Sequence, residues 1–161
     1  MANVAGITVF RTGIAADWID YNGHLRDAYY GLIVSYAIDA LMQRVGLDEP
    51  YRNRTRCTLY TLEMHIRYLR EVKSTATVAA EVRIIDADRK RIHACFDLMA
   101  EGQDDPAATA EVMLLHVQQA PAVSSQPFAA EIAAAIASLQ QATASLPPSR
   151  FGSRQMQLPQ R

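Results

Sequence analysis

The sequence predicts an α+β fold in which a curved antiparallel sheet wraps one long helix, with an extra helix near the C-terminal side. Three observations predict it. Apolar residues recur at helical spacing over residues 27–45, a strand-like segment precedes them, and the period changes to two after residue 60. One strand, a helix apolar over much of its circumference and four further strands suit a sheet whose apolar face buries the helix.

The elements follow in order. Residues 7–15 are rich in β-branched and apolar types and read as the first strand. Tyr29, Leu32, Ile33, Tyr36, Ala37, Ala40 and Leu41 then mark a helix over 27–45, with Asp27 complementing its dipole and Gly46 as its C-terminal cap. Pro50 and many polar residues make 47–56 a loop. Tyr60, Leu62, Met64, Ile66 and Tyr68 alternate with Thr61, Glu63, His65 and Arg67. Val78, Ala80, Val82 and Ile84 do the same, and so do Ile92, Ala94, Phe96 and Leu98 against Arg91, His93 and Asp97. Each reads as a strand with one buried and one wetter face. Turns fall at 86–90 and 101–106. Residues 109–117 form a more uniformly apolar strand, either interior or at a subunit contact. Alanine-rich 128–144, with Ile132, Ile136 and Leu139 at helical spacing, is a helix packed on the rim. Residues 1–145 therefore read as a single domain. Residues 146–161, with Pro147-Pro148 and little apolar content, read as a flexible tail that packs only in an oligomer, if at all.

A chain of 161 residues, half hydrophobic and one fifth charged, is of ordinary globular composition. A net charge of −1 gives no basic excess for nucleic acid. Cys57 and Cys95 lack metal-site spacing and suggest no disulfide framework, which fits a reducing cytoplasm. No secretory pattern and no apolar run of membrane-spanning length stand in the sequence. The expectation is a cytoplasmic protein that binds neither nucleic acid nor membrane and uses no metal or other cofactor.

Chemistry concentrates in Asp17-Trp18-Ile19-Asp20-Tyr21-Asn22-Gly23-His24-Leu25, a polar loop running into the long helix. A helix N-terminus exposes unpaired N–H groups that can hold an oxyanion. Beside them Asp20 suits a nucleophile or general base, and His24 a group that positions substrate or water. An acid beside an oxyanion site suggests acyl transfer. The competing reading is purely structural, with Asp20 and Asn22 forming an Asx-type turn before the helix.

Asp20-Tyr21-Asn22-Gly23-His24 followed by Tyr29-Tyr30 resembles the hotdog-fold acyl-CoA thioesterases of the 4-hydroxybenzoyl-CoA thioesterase type, whose motif places an Asp three residues before a Gly at the mouth of the central helix. Asp20, Asn22 and His24 also look like the Asp-x-Asn-x-His pattern of plant acyl-ACP thioesterases. The similarity spans residues 7–118. A narrower resemblance, to the thioesterases of carnitine degradation linked with betainyl-CoA, lies in residues 61–73, in Lys90-Arg91-Ile92-His93 and in Met113-Leu114-Leu115-His116-Val117. Many relatives carry an Asn shortly after the His, where this chain has Arg26 and Asp27.

The resemblance implies hydrolysis of a short acyl-CoA, betainyl-CoA on the narrower match. Asp20 would attack the thioester or activate water, and amides around 26–28 would receive the carbonyl oxygen. Gly23 would let the backbone approach the thioester, and Asn22 and His24 would hydrogen-bond Asp20, the water or the loop. Glu63 is a second candidate acid, because some hotdog thioesterases use a Glu; its bland reading is a solvated strand face. Arg67, Arg70, Lys73, Arg89, Lys90 and Arg91 are candidates for CoA phosphates, and Arg26 and Asp27 for substrate contacts at the helix start. A quaternary ammonium would call on the aromatic faces of Trp18, Tyr21, Tyr29 and Tyr36. The resemblance also implies a homodimer, or a dimer doubled to a tetramer. The rivals are a non-catalytic acyl-CoA or small-ligand binding module on the same fold, and a dehydratase that recruits His24.

Overall fold

The computed structural model describes residues 6–146. After β1 (Ile7–Gly13) a 3-10 turn at Ala16–Trp18 and an irregular loop lead into α1 (Asp27–Arg44). There follow α2 (Glu49–Thr55), β2 (Cys57–Tyr68), β3 (Thr77–Ala87), β4 (Arg91–Ala100), β5 (Ala108–Gln118), the two-residue β6 (Ser124–Ser125) and α3 (Ala130–Thr143). The strands form an antiparallel sheet in the order β1-β3-β4-β5-β2, with β6 added to the end of β5. Helix α1 touches β1 at one edge, β2 at the other and β3 between them. A sheet that reaches one helix from both edges must curl around it, which is the hotdog arrangement expected above. Among the described residues no helix is long and apolar enough to cross a membrane.

Inward residues follow the two periods. Ile33, Val34, Ala37 and Leu41 of α1 meet Val78, Ala80 and Val82 of β3, Ile92, Ala94, Phe96 and Leu98 of β4, and Ala110, Val112 and Leu114 of β5 in one buried cluster. The end of α1 is a Schellman motif: the Leu47 N–H donates to the Met42 carbonyl (2.8 Å) and the Gly46 N–H to that of Gln43 (3.2 Å). Gly46 sits at φ +92, and a Cβ there would meet the Ile132 side chain of α3 at 3.0 Å. Helix α3 packs at this rim through Ile132, Ile136 and Leu139.

Three expectations need correction. Residues 47–56 are not all loop, because α2 occupies Glu49–Thr55. The Asp48 side chain accepts the Tyr51 N–H (2.9 Å) as N-cap, and Pro50 lies in the first turn, where its missing N–H costs nothing. The proline thus starts a helix instead of breaking one.

The alternation over Tyr60–Tyr68 does not define one face. Register slips between Thr61 and Glu63, so the bulge at Leu62 swaps faces. Cys57 and Leu59 face the core before it, and Met64 and Ile66 pack against the core after it. Tyr60 and Leu62 are left exposed on the edge strand.

Asp97, assigned to a wet face, is buried. Burial pushes its carboxyl up, against the opposing effects of the Thr109 hydroxyl, which donates to it at 2.6 Å, and of Arg83. Asp97 lies on a central strand between Glu81 of β3 and Thr109 of β5, a position that alternation alone does not register. Residues 147–161, which hold nearly all of the predicted tail, lie outside the described residues.

Candidate active site

Residues 18–26 form a compact knot at the mouth of α1. The Asp20 N–H donates to the His24 carbonyl (2.9 Å) and the Gly23 N–H to that of Asp20 (3.0 Å). Gly23 takes φ +83, a region open to glycine at little cost. The Arg26 N–H donates to the Trp18 carbonyl (2.9 Å), and the Leu25 N–H reaches across to Val72 (2.8 Å) in the β2–β3 connection. Trp18 stacks on Tyr29 at 5.4 Å between centroids. Loop, helix start and β2–β3 connection are therefore one tied unit.

Within it, Oδ1 of Asp20 accepts the N–H groups of Asn22 (2.8 Å) and His24 (3.1 Å). The Asx turn is present, and it uses one oxygen; among the described residues Oδ2 accepts no hydrogen bond. The His24 N–H is the largest cause holding the Asp20 carboxyl below the usual carboxylate range; it outweighs burial and is helped by the Asn22 N–H and the charges of His24 and Arg26.

The nearby amides are mostly engaged. The Ala28 N–H donates to the Asp27 carboxylate (2.9 Å) and the Tyr29 N–H to the Arg26 carbonyl (3.0 Å). Among the described residues the Asp27 N–H has no acceptor, which leaves it as the open donor at the helix start. A half-exposed carboxylate with one oxygen pinned and one open can attack an acyl carbon or deprotonate a water that does, while the open helix amide beside it holds the oxyanion.

The cleft over this unit holds about 510 Å³ and is lined by Asp20, Tyr21, Asn22, His24, Arg26 and Asp27 from the loop and helix start, and by Tyr30 of α1. Its far wall is Tyr68, Leu69, Arg70 and Glu71. Tyr30, Tyr68 and Glu71 were not legible as site residues, because Tyr68 reads as one more step in an alternating strand and Glu71 as one charge in a polar connection. The His24 ring meets Glu71 (Nε2–Oε2 3.2 Å).

Other candidates lie elsewhere on this chain. Glu63 pairs with His65 (2.8 Å) and lines a separate depression with His93 and Glu111. Arg67 is half-buried in β2 opposite Thr109. Tyr36 packs on Phe10, 5.7 Å between centroids. Arg91 pairs with Asp88 (2.6 Å) at the start of β4 and holds that carboxyl down to about 2; the cleft lies toward the opposite end of the sheet, where β2 finishes. Arg70, by contrast, is on the far wall of the cleft and is drawn to Asp105 (2.7 Å). Among the described residues no cluster of three or more His, Cys, Asp or Glu side chains forms a metal site.

Residues 14–148 match the family model of the thioesterase-like superfamily. The chain is 42% identical over 141 residues to a betainyl-CoA thioesterase of Pseudomonas aeruginosa, covering 88% of both proteins. It is 41% identical over 100 residues to an L-carnitine dehydrogenase/betainyl-CoA thioesterase of Agrobacterium fabrum; that match takes in 62% of this chain and 20% of the longer protein. Among solved structures it resembles a candidate thioesterase of Pseudomonas putida KT2440, with 39% identity, a TM-score of 0.84 and coverage of 96% and 98%. It also resembles SAV2348 of Staphylococcus aureus, solved in complex with CoA, with 27% identity, a TM-score of 0.83 and coverage of 96% and 99%.

Proposed function

Because the chain belongs to the thioesterase-like superfamily, we propose that its cleft hydrolyses betainyl-CoA to the free betaine and CoA. Thioester hydrolysis on an acyl-CoA is the activity its relatives carry. The betainyl group is the finer reading, supported by the 42% identity to the Pseudomonas aeruginosa enzyme. The single observation behind the mechanism is the division of labour within the Asp20 carboxylate, one oxygen in the turn and one open to the cleft.

In this reading Oδ2 adds to the thioester carbonyl, the C–S bond breaks, and CoA leaves as a thiolate that takes up a proton. Water then hydrolyses the resulting mixed anhydride. In the alternative route Oδ2 removes a proton from a water that attacks directly. Either way the Asp27 N–H receives the developing oxyanion. Asn22 and His24 hold the carboxylate through their N–H groups. Arg26, which makes no ion pair among the described residues, is the proposed substrate contact at the helix start.

The test is free-thiol release from a panel of short acyl-CoAs that includes betainyl-CoA. Release with the highest kcat/KM on betainyl-CoA is expected. Highest efficiency on a neutral acyl group would reject the betainyl assignment. Tight CoA binding with no release from any member would reject hydrolysis in favour of a binding module, and an acyl group altered with its thioester intact would point to a dehydratase.

The protein is also proposed to be a homodimer joined along β2. That edge strand is twelve residues long and exposes Tyr60 and Leu62 away from the cleft, an apolar edge that a second copy would cover. Light scattering should give twice the 17.8 kDa chain mass, or four times it if dimers pair. A monomer at working concentration would defeat the proposal. The cytoplasm is the proposed setting, where Cys57 and Cys95, both buried, stay reduced.

A further inference from the structure

The geometry points to Tyr68 and Glu71 as the subsite that selects a cationic acyl headgroup, an inference that rests on the cleft being the thioester site. In a betainyl group the quaternary nitrogen is two bonds from the carbonyl carbon. Whatever recognises it must therefore share the cleft with Asp20. The loop and helix aromatics do not all qualify: Trp18 and Tyr29 stack on each other, and Tyr36 lies against Phe10. The aromatics lining the cleft are Tyr21, Tyr30 and Tyr68.

Tyr30 is buried, and its ring meets that of Tyr68 at 5.2 Å and 90°, an edge-to-face pair. The Tyr68 hydroxyl donates to the Asp27 carbonyl (3.3 Å) and the Tyr30 hydroxyl to that of Arg70 (3.4 Å). The pair is thus tied to both the helix start and the β2–β3 connection. Tyr68 remains 54% exposed, so it is a held ring with surface left to meet a ligand. A trimethylammonium group donates no hydrogen bond and is attracted to such a ring face.

Charge agrees with this placement. The cleft carries the carboxylates of Asp20, Asp27 and Glu71 against Arg26 and Arg70, and Arg70 is held by Asp105. The adjoining cleft, which shares His24, Arg70 and Glu71, adds Glu101, Asp104 and Asp105 against Lys73. That side attracts a cation and repels CoA phosphates. Glu71 stands where the two clefts meet, with its main chain fixed by the Gln103 side-chain N–H (3.1 Å) and its carboxylate 77% exposed.

The discriminating pair of substrates is betainyl-CoA and 3,3-dimethylbutanoyl-CoA, which has the same shape with carbon in place of the charged nitrogen. The readout is the ratio of their kcat/KM values on the full chain. Wild type should favour the cation. Tyr68→Leu should lower the ratio by about 3- to 30-fold, the range of a cation–π contact, whereas Tyr68→Phe should keep it within about twofold because the ring remains. Glu71→Gln, at an exposed position that folding tolerates, should lower the ratio by a few-fold, and less at high salt. A wild-type ratio near one, or a ratio that ignores both Tyr68→Leu and Glu71→Gln, overturns the subsite while leaving the thioesterase intact. No thiol release from any acyl-CoA overturns the thioesterase reading and the subsite with it.

Discussion

Asp20→Asn lowers kcat for thiol release by about 10³-fold, roughly 4 kcal/mol of transition-state stabilisation, with KM little changed. Asparagine is the informative replacement. Its side-chain oxygen can still accept the N–H groups of Asn22 and His24, so the turn survives and only the ionised oxygen is lost. Asp20→Ala removes the turn as well and mixes two effects. The accompanying pH profile has a definite sign. The Asp20 carboxyl is held below its ordinary 3.8, so the ionised form persists below that pH and the kcat/KM acid limb attributable to it lies lower still. The same linkage acts on stability: the loop hydrogen bonds contribute fully above the unfolded value and fade as pH falls through the depressed folded value. Full activity in Asp20→Asn would sink the assignment, and an acid limb above 3.8 would belong to another group.

Phe96→Ala removes about 3–5 kcal/mol of folding stability, which is a large share of what a domain of this size possesses. Phe96 is fully buried on β4, opposite Val82 of β3 and Ala110 of β5, with Ala94 two residues away on the same strand. Small neighbours leave it to fill the space between sheet and α1. They also have no side-chain length with which to collapse into the hole it would leave, which places the expected cost toward the upper part of that range. Urea unfolding at unchanged m measures it. A loss below about 1 kcal/mol would show that the sheet closes around the gap.

The fold was legible wherever one period ran without interruption. Ile33, Ala37 and Leu41 on α1, and the inward residues of β3 and β4, are buried as their spacing indicates. Legibility failed at local exceptions. Pro50 is ambiguous between helix start and helix breaker until Asp48 is seen capping the Tyr51 N–H. The Leu62 bulge reverses the faces of β2 with one inserted residue, and no alternation pattern marks it.

At the site, Asp20, Asn22, Gly23 and His24 could be read together because they are consecutive and their chemistry is local. A turn is made by its own residues and the peptide groups between them. The opposite wall could not be read so. Tyr68 and Glu71 stand more than forty residues away and reach the loop only because β2 and its connection to β3 fold back, through Leu25–Val72 and His24–Lys73 pairing.

Periodicity and neighbours along the chain were enough to establish a long central helix in a curved antiparallel sheet and an acidic loop at the helix mouth. Folding in three dimensions was needed to put Glu63 in a different depression and to bring Tyr68 and Glu71 to the cleft that Asp20 lines. Those facts depend on contacts between segments distant in sequence, whose register is set by bulges, caps and packing that no single segment encodes.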